Sequence, residues 1–147
     1  YPSENQDKYI NLWKVYNNNI KIDSKNVKFI DSLSNCKLYV VDHIATTYLE
    51  SLKMNIPTII FLNKKYPNGL LSTSAFKEFK KLEEVGILYY SAKNAALAIN
   101  RMQDDIDGWW FNQEVQNVRK RFCDNFAKTP NNFIEDFDNL FDKVLGK

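Results

Sequence analysis

"SNCKLYVVDHIATTYLESLKMNIPTIIFLN", Ser34 to Asn63, sets two apolar runs, Leu38–Val41 and Thr58–Leu62, on either side of a short amphipathic stretch. Both runs are rich in β-branched or aromatic residues and neither alternates with polar ones, the pattern of strands buried on both faces of a parallel sheet. Thr47 to Met54 between them reads as a helix, ended by Asn55 and then by Pro57, which cannot continue one. A strand, a helix and a strand in this order make one βαβ unit, so the chain is expected to be an α/β domain around a parallel sheet.

Outward from this unit the same alternation continues. Val27–Ile30 is a short strand candidate and Ile87–Tyr90 another. Ser74–Val85 places Phe76, Phe79 and Leu82 at helical spacing and stops at Gly86, a residue suited to the position just past a helix end. Ser91 is placed to cap a helix running to about Met102, with Ala92, Ala95, Ile99 and Met102 on one face. "DDIDGWW", Asp104 to Trp110, breaks the pattern, and its tryptophans are expected to pin the C-terminal helices onto the sheet. Gln113–Phe126 turns Val115, Val118, Phe122 and Phe126 inward, and Asn132–Leu145 does so with Phe133, Phe137, Leu140, Phe141 and Val144. Residues 112–147 thus form a C-terminal helical pair on a single Rossmann-like domain covering 1–147. Tyr9–Tyr16 holds one or two helical turns, Asn17 to Asn19 a turn, and Pro67-Asn68-Gly69 a surface loop.

The bulk composition suits one soluble globular domain: 147 residues, 44% hydrophobic and 26% charged, with a net charge of +2. That rules out a disordered tail, and the mild basicity, with no Lys/Arg stripe, points away from nucleic acid. Lys80-Lys81 and Arg119-Lys120-Arg121 are the densest basic runs, and both fall on expected helices as solvated faces. Cys36 and Cys123 lack any metal-type or disulfide spacing and read as two buried thiols in a reducing compartment. No segment approaches the roughly 18 apolar residues of a membrane span, and no signal peptide is present. The chain starts at Tyr1 without an initiator methionine, which suggests a fragment of a larger protein.

The break in the opening stretch holds Asp42, His43, Thr46, Thr47 and Glu50. Ligands of open α/β sheets gather beyond the carboxyl ends of the strands, where loops enter helix N-termini. The first amides of such a helix have no internal partner, and its dipole favours an anion. Thr46 and Thr47 add hydroxyls there, a setting that fits a phosphate or diphosphate. Glu50, one turn inside, would repel a phosphate beside it but can accept hydrogen bonds from ribose hydroxyls. The competing account is structural: Thr47-Tyr48-Leu49-Glu50 matches the capping box, in which threonine bonds the amide three residues on and glutamate returns to the cap amide. Asp42 either orients His43 or, as this reading favours, bonds the loop backbone. His43 is the only histidine, so no Ser or Cys nucleophile has a His-based triad to serve it. Asp104, Asp105 and Asp107 make a poor metal cage, and no Walker, dinucleotide or zinc-protease motif occurs. Lys64, Lys65 and Tyr66 follow the Thr58–Leu62 strand and read as a solvated loop.

"LYVVDHIATTYLESLKMNIPTIIF" resembles the donor-binding half of two-domain GT-B glycosyltransferases, where a strand leads through a small or hydroxyl turn to a helix with Thr-x-x-Glu and then to x-Pro-x-Ile/Val. The chain is most similar to a family of transferases from bacterial O-antigen and surface-polysaccharide gene clusters. The features that carry this likeness are Tyr1-Pro2, Ala45 through Thr58, Val85-Gly86-Ile87-Leu88, Asp104-Asp105 with Trp109-Trp110, Val115-Gln116, Arg121-Phe122-Cys123 and Ala127. They extend over nearly the whole chain. "SENQDKY" stands where members often have a stretch with glycine and tryptophan, and Val85 where alanine is common. The resemblance implies a donor-nucleotide-binding domain of a glycosyltransferase in surface-polysaccharide biosynthesis. In that setting Thr46 and Thr47 would hold the diphosphate, Glu50 the ribose, and His43 the phosphate or the transferred sugar; His43 is also the candidate catalytic group. It implies no cofactor and no metal, a nucleotide-sugar donor, an N-terminal acceptor domain absent from this fragment, and a cytoplasmic or membrane-peripheral full-length protein. Two rivals remain at this stage: a CDP-alcohol phosphotransferase-type domain, with an Asp-x-x-[Ser/Thr] turn after a buried strand, and a non-catalytic α/β interaction module.

Overall fold

The computed structural model of the chain describes residues 12–21, 27–63, 72–128 and 132–145. The chain divides into two compact units, Tyr1–Asn35 and Cys36–Lys147.

In the first unit, residues 12–16 are helical, with Leu12, Trp13, Val15 and Tyr16 exposed. The asparagine cluster then turns the chain: the Asn17 side chain accepts from the Asn19 amide at 2.8 Å. Val27–Ile30 is not a strand. Phe29–Ser34 is a helix, α1, which buries Leu33. Three apolar residues in four fit a short strand, but Phe29 and Leu33 stand one helical turn apart, and that longer spacing prevails.

The second unit carries the sheet. Its elements are β1 (Tyr39–Val41), α2 (Thr46–Lys53), β2 (Thr58–Phe61), α3 (Thr73–Glu84), β3 (Leu88–Tyr89), α4 (Ala92–Met102), α5 (Ile106–Trp110), α6 (Gln113–Phe126) and α7 (Phe133–Leu145). The three strands are parallel in the order β1-β2-β3, with Val41 opposite Ile60 and Ile60 opposite Leu88. This is an α/β fold of the Rossmann-like kind, a parallel sheet flanked by helices. Both crossovers advance the same way across the sheet, which puts α2 and α3 on one face if each has the usual right hand, and α6 packs against both helices. α4 packs against β2 and β3. The central strand β2 is buried on both faces as its apolar run demands, whereas Val40 in β1 is 41% exposed. β1 ends the sheet as described, so one of its faces lacks the cover that continuous hydrophobicity implies.

The core joins Tyr48 of α2, Phe79 of α3 and Phe122 of α6 in a ring cluster, with Phe79 and Phe122 5.2 Å apart centre to centre. Two buried hydroxyls inside it are satisfied: Thr58 donates to Ser51 Oγ at 3.0 Å, and Ser51 donates to the Tyr48 carbonyl at 2.9 Å.

Both crossover helices end in the same way, at the amino end of the sheet. After α2, Asn55 takes φ +60°, its amide bonds the Leu52 carbonyl at 3.1 Å, and the Ile56 amide bonds the Ser51 carbonyl at 3.0 Å. After α3, Gly86 takes φ +75°, with its amide on Glu83 and that of Ile87 on Leu82 at 2.8 Å. These are paired-bond stops that need a left-handed residue, which Gly supplies freely and Asn tolerates.

"DDIDGWW" is helical over Ile106–Trp110, not irregular. Asp105 caps it by accepting from the Gly108 amide at 2.9 Å, and a Cβ at Gly108 would collide with that carboxylate. The helix sends both indole N–H groups to the ends of the crossover helices, and Trp110 shares the core cluster with Val115 and Phe122 of α6. Trp109 Nε1 donates to the Val85 carbonyl at 3.2 Å; Trp110 Nε1 donates to both the backbone and side-chain oxygens of Asn55, each at 3.1 Å. Arg119 of α6, only 7% exposed, extends the network: Nη1 donates to the Leu52 carbonyl at 2.8 Å and Nε to Gln116, whose amide donates to the Trp110 carbonyl at 2.9 Å. A buried cation at the C-terminus of α2 also meets the negative end of that helix. The basic run at 119–121 is therefore not one solvated face, since Arg119 turns inward and Arg121 forms a two-point ion pair with Glu78 of α3. The expected Pro67-Asn68-Gly69 loop and Lys64, Lys65 and Tyr66 lie outside the described residues.

Candidate functional site

At the carboxyl end of the sheet, β1 stops at Val41 and leads through Asp42, His43 and Ile44 to α2. Ile44 packs back on the core; Asp42 and His43 are exposed. His43 Nδ1 lies 2.7 Å from Asp42 Oδ1. Asp42 thus bonds the imidazole, not the loop backbone that the sequence reading favoured.

The capping box does not form. α2 begins at Thr46, its N-cap is Ala45 in extended conformation, and no side chain caps it. Thr47 is therefore already inside the helix, two positions past the N-cap where the motif needs it. Its Oγ1 accepts a hydrogen bond from the Tyr39 hydroxyl at 3.1 Å. A hydroxyl that accepts retains its own proton to donate. Among the described residues nothing bonds the Glu50 carboxylate, which is exposed, as is Thr46. The capping account of Thr47 and Glu50 fails for a geometric reason: alanine at the cap has no oxygen to offer.

A cleft of about 700 Å³ opens over the strand ends, lined by Asp42 after β1, Phe61, Leu62 and Asn63 at the end of β2, and Tyr90, Ser91, Ala92 and Asn94 after β3. Of the junction residues only Asp42 lines it; His43 joins it through Asp42, and Thr46, Thr47 and Glu50 do not border it. Ser91, Asn94 and Tyr90 are the side chains that sequence reasoning missed. The rule that points to the end of β1 applies equally to β3, and Ser91, expected as a cap, also fills that role by accepting from the Asn94 amide at 3.4 Å. Burial, with Glu83 nearby, pushes the Tyr90 phenol up, so at neutral pH it is a hydrogen-bond donor.

Burial also raises both thiols, of Cys36 and of the more deeply buried Cys123, which leaves each protonated and a poor nucleophile. Among the described residues no group of three or more His, Cys, Asp or Glu is placed to hold a metal ion, and no helix is long and apolar enough to cross a membrane.

Fold and cleft together define an open parallel α/β domain whose polar, solvent-facing groups collect at the carboxyl end of the sheet. The particular lineage follows from the sequence: residues 1–141 match the profile of the LIC12162 family transferases, and the chain belongs to that family. No curated protein and no solved structure matches it.

Proposed function

We propose that this chain is the donor-nucleotide-binding domain of a glycosyltransferase acting in bacterial surface-polysaccharide biosynthesis, working with a separate acceptor-binding domain. Membership of a transferase family supplies the reaction class. The observation that carries the rest is the uncapped start of α2, which leaves its leading amides, the Thr46 hydroxyl and the Glu50 carboxylate beside the strand ends with no role in closing the helix. In this reading Thr46, Thr47 and the first turn of α2 hold the diphosphate, Glu50 accepts from the ribose, and His43 reaches the phosphate or the transferred sugar. The departing nucleotide is stabilised by helix amides and hydroxyls already oriented toward it, with no proton relay required at the phosphate. This domain binds donor and leaves turnover to the assembled enzyme.

Calorimetric titration of the chain with nucleoside diphosphates and nucleotide sugars tests the proposal. One nucleotide class should bind, and Glu50→Ala should weaken it about tenfold, the loss of one hydrogen bond to a charged group. A chain that ignores the whole panel, or a Glu50→Ala variant that binds as tightly as the wild type, overturns it. Preference for CDP-alcohols over nucleotide sugars would shift the reading to phosphoalcohol transfer.

A further inference from the structure

Asp42 alone both lines the cleft and holds another side chain of the junction. A carboxylate oxygen can only accept, so the hydrogen between the two must sit on His43 Nδ1, and in the neutral ring Nε2 is then a bare acceptor. The charge of the cleft's described lining bears on what it takes. Among the described residues lining it Asp42 is the only charged one, and the other polar groups are the Tyr90 and Ser91 hydroxyls and the side-chain amides of Asn63 and Asn94, beside the ring of Phe61. A phosphate there would face a carboxylate with no lysine or arginine among those residues to offset it. A sugar ring would find an acceptor for its hydroxyls in Asp42, donors in Ser91 and Asn94, and apolar surface in Phe61 and Tyr90.

We infer that Asp42 is a positioning residue that fixes His43 in its Nδ1–H tautomer, and that the cleft Asp42 borders takes the uncharged, hydroxyl-rich part of the ligand while the phosphates lie outside it. The tautomer rests on geometry alone; the identity of the ligand rests on the donor-binding reading above.

Two measurements test this. His43 is the only histidine, so long-range nitrogen–proton correlation on ¹⁵N-labelled chain in alkaline buffer reads its tautomer without assignment. The wild type should show the proton on Nδ1, and Asp42→Ala should move the population toward Nε2. A wild-type proton on Nε2, or no change in the variant, refutes the positioning role. The second measurement is calorimetry of Asp42→Asn with uridine, cytidine, guanosine and thymidine diphosphates and with their hexose conjugates. The variant should lose about tenfold in affinity for the conjugate that wild type binds and stay within about twofold for the matching diphosphate, as loss of one charged hydrogen bond to a hydroxyl requires. Tighter binding of the bare diphosphate by Asp42→Asn would mark the cleft as a phosphate site and overturn the assignment. If wild type binds no nucleotide at all, the donor reading falls and takes the hydroxyl assignment with it, while the tautomer result stands or falls separately.

Discussion

The two ends of the parallel sheet are built on opposite plans. At the amino end the C-termini of both crossover helices are met by side chains: Trp110 reaches Asn55, Trp109 reaches Val85, and Arg119 reaches Leu52. At the carboxyl end Ser72 and Ser91 cap α3 and α4, but α2 starts uncapped, and Asp42, His43, Thr46 and Glu50 face solvent. Leaving the start of α2 without a side-chain cap forgoes about 1 kcal/mol. The contrast locates where stability is concentrated and where the molecule keeps its bonding capacity for something else.

Substitutions at the two ends should therefore separate stability from ligand affinity. The largest effect is expected from Trp110→Ala, which empties a fully buried indole site and frees both Asn55 oxygens. The loss should be about 3–5 kcal/mol in denaturant unfolding; a value near that of a surface residue would erase the contrast. Next comes Arg119→Met, which keeps the buried stem but removes the donor to Leu52. A loss of about 2 kcal/mol is expected, because the side-chain oxygen of Gln116 also loses its donor. At the other end, His43→Ala and Thr46→Ala should change stability by no more than about 0.5 kcal/mol, the range of exposed sites. A much larger destabilisation would show that the carboxyl end is structural too.

A further, pH-dependent effect lies between the ends. Hydrogen bonds from Arg121 hold the Glu78 carboxyl below its ordinary value of 4.5, with Lys81 adding to this against the opposing pull of burial. A depressed folded value means that the ion pair stabilises above the ordinary carboxylate range and that this contribution fades as pH falls below about 4.5. Arg121 is 59% exposed, so solvent screening limits the contribution to under about 1 kcal/mol. Arg121→Ala should flatten the acid limb of stability measured between about pH 5 and pH 3.

How far the sequence revealed all this depended on whether a feature is local. β2 and α6 were legible because a continuous β-branched run and a four-residue apolar period each carry their own signal, and Gly86 announced its left-handed stop. Val27–Ile30 was misread because four residues do not separate the two periodicities until Leu33 is counted. The capping box was a pattern match whose register slipped: Tyr39, eight residues upstream, engages Thr47, and no local motif contains that pairing. The inward turn of Arg119 was hidden for the same reason, since its acceptor lies 67 residues away. At the site, Asp42 and His43 were found from one strand end, whereas Tyr90, Ser91 and Asn94 follow a strand more than 40 residues later that only the sheet brings alongside.

The indoles of Trp109 and Trp110 stand 5.3 Å apart with their planes inclined by 54°. Chromophores that close share their excitation, so the pair should give a split circular-dichroism band that neither ring produces alone. Opening the amino end would collapse that band. The molecule thus carries an optical gauge at one end of its sheet and, in a solitary imidazole, a magnetic one at the other, so the two ends can be followed independently in a single sample.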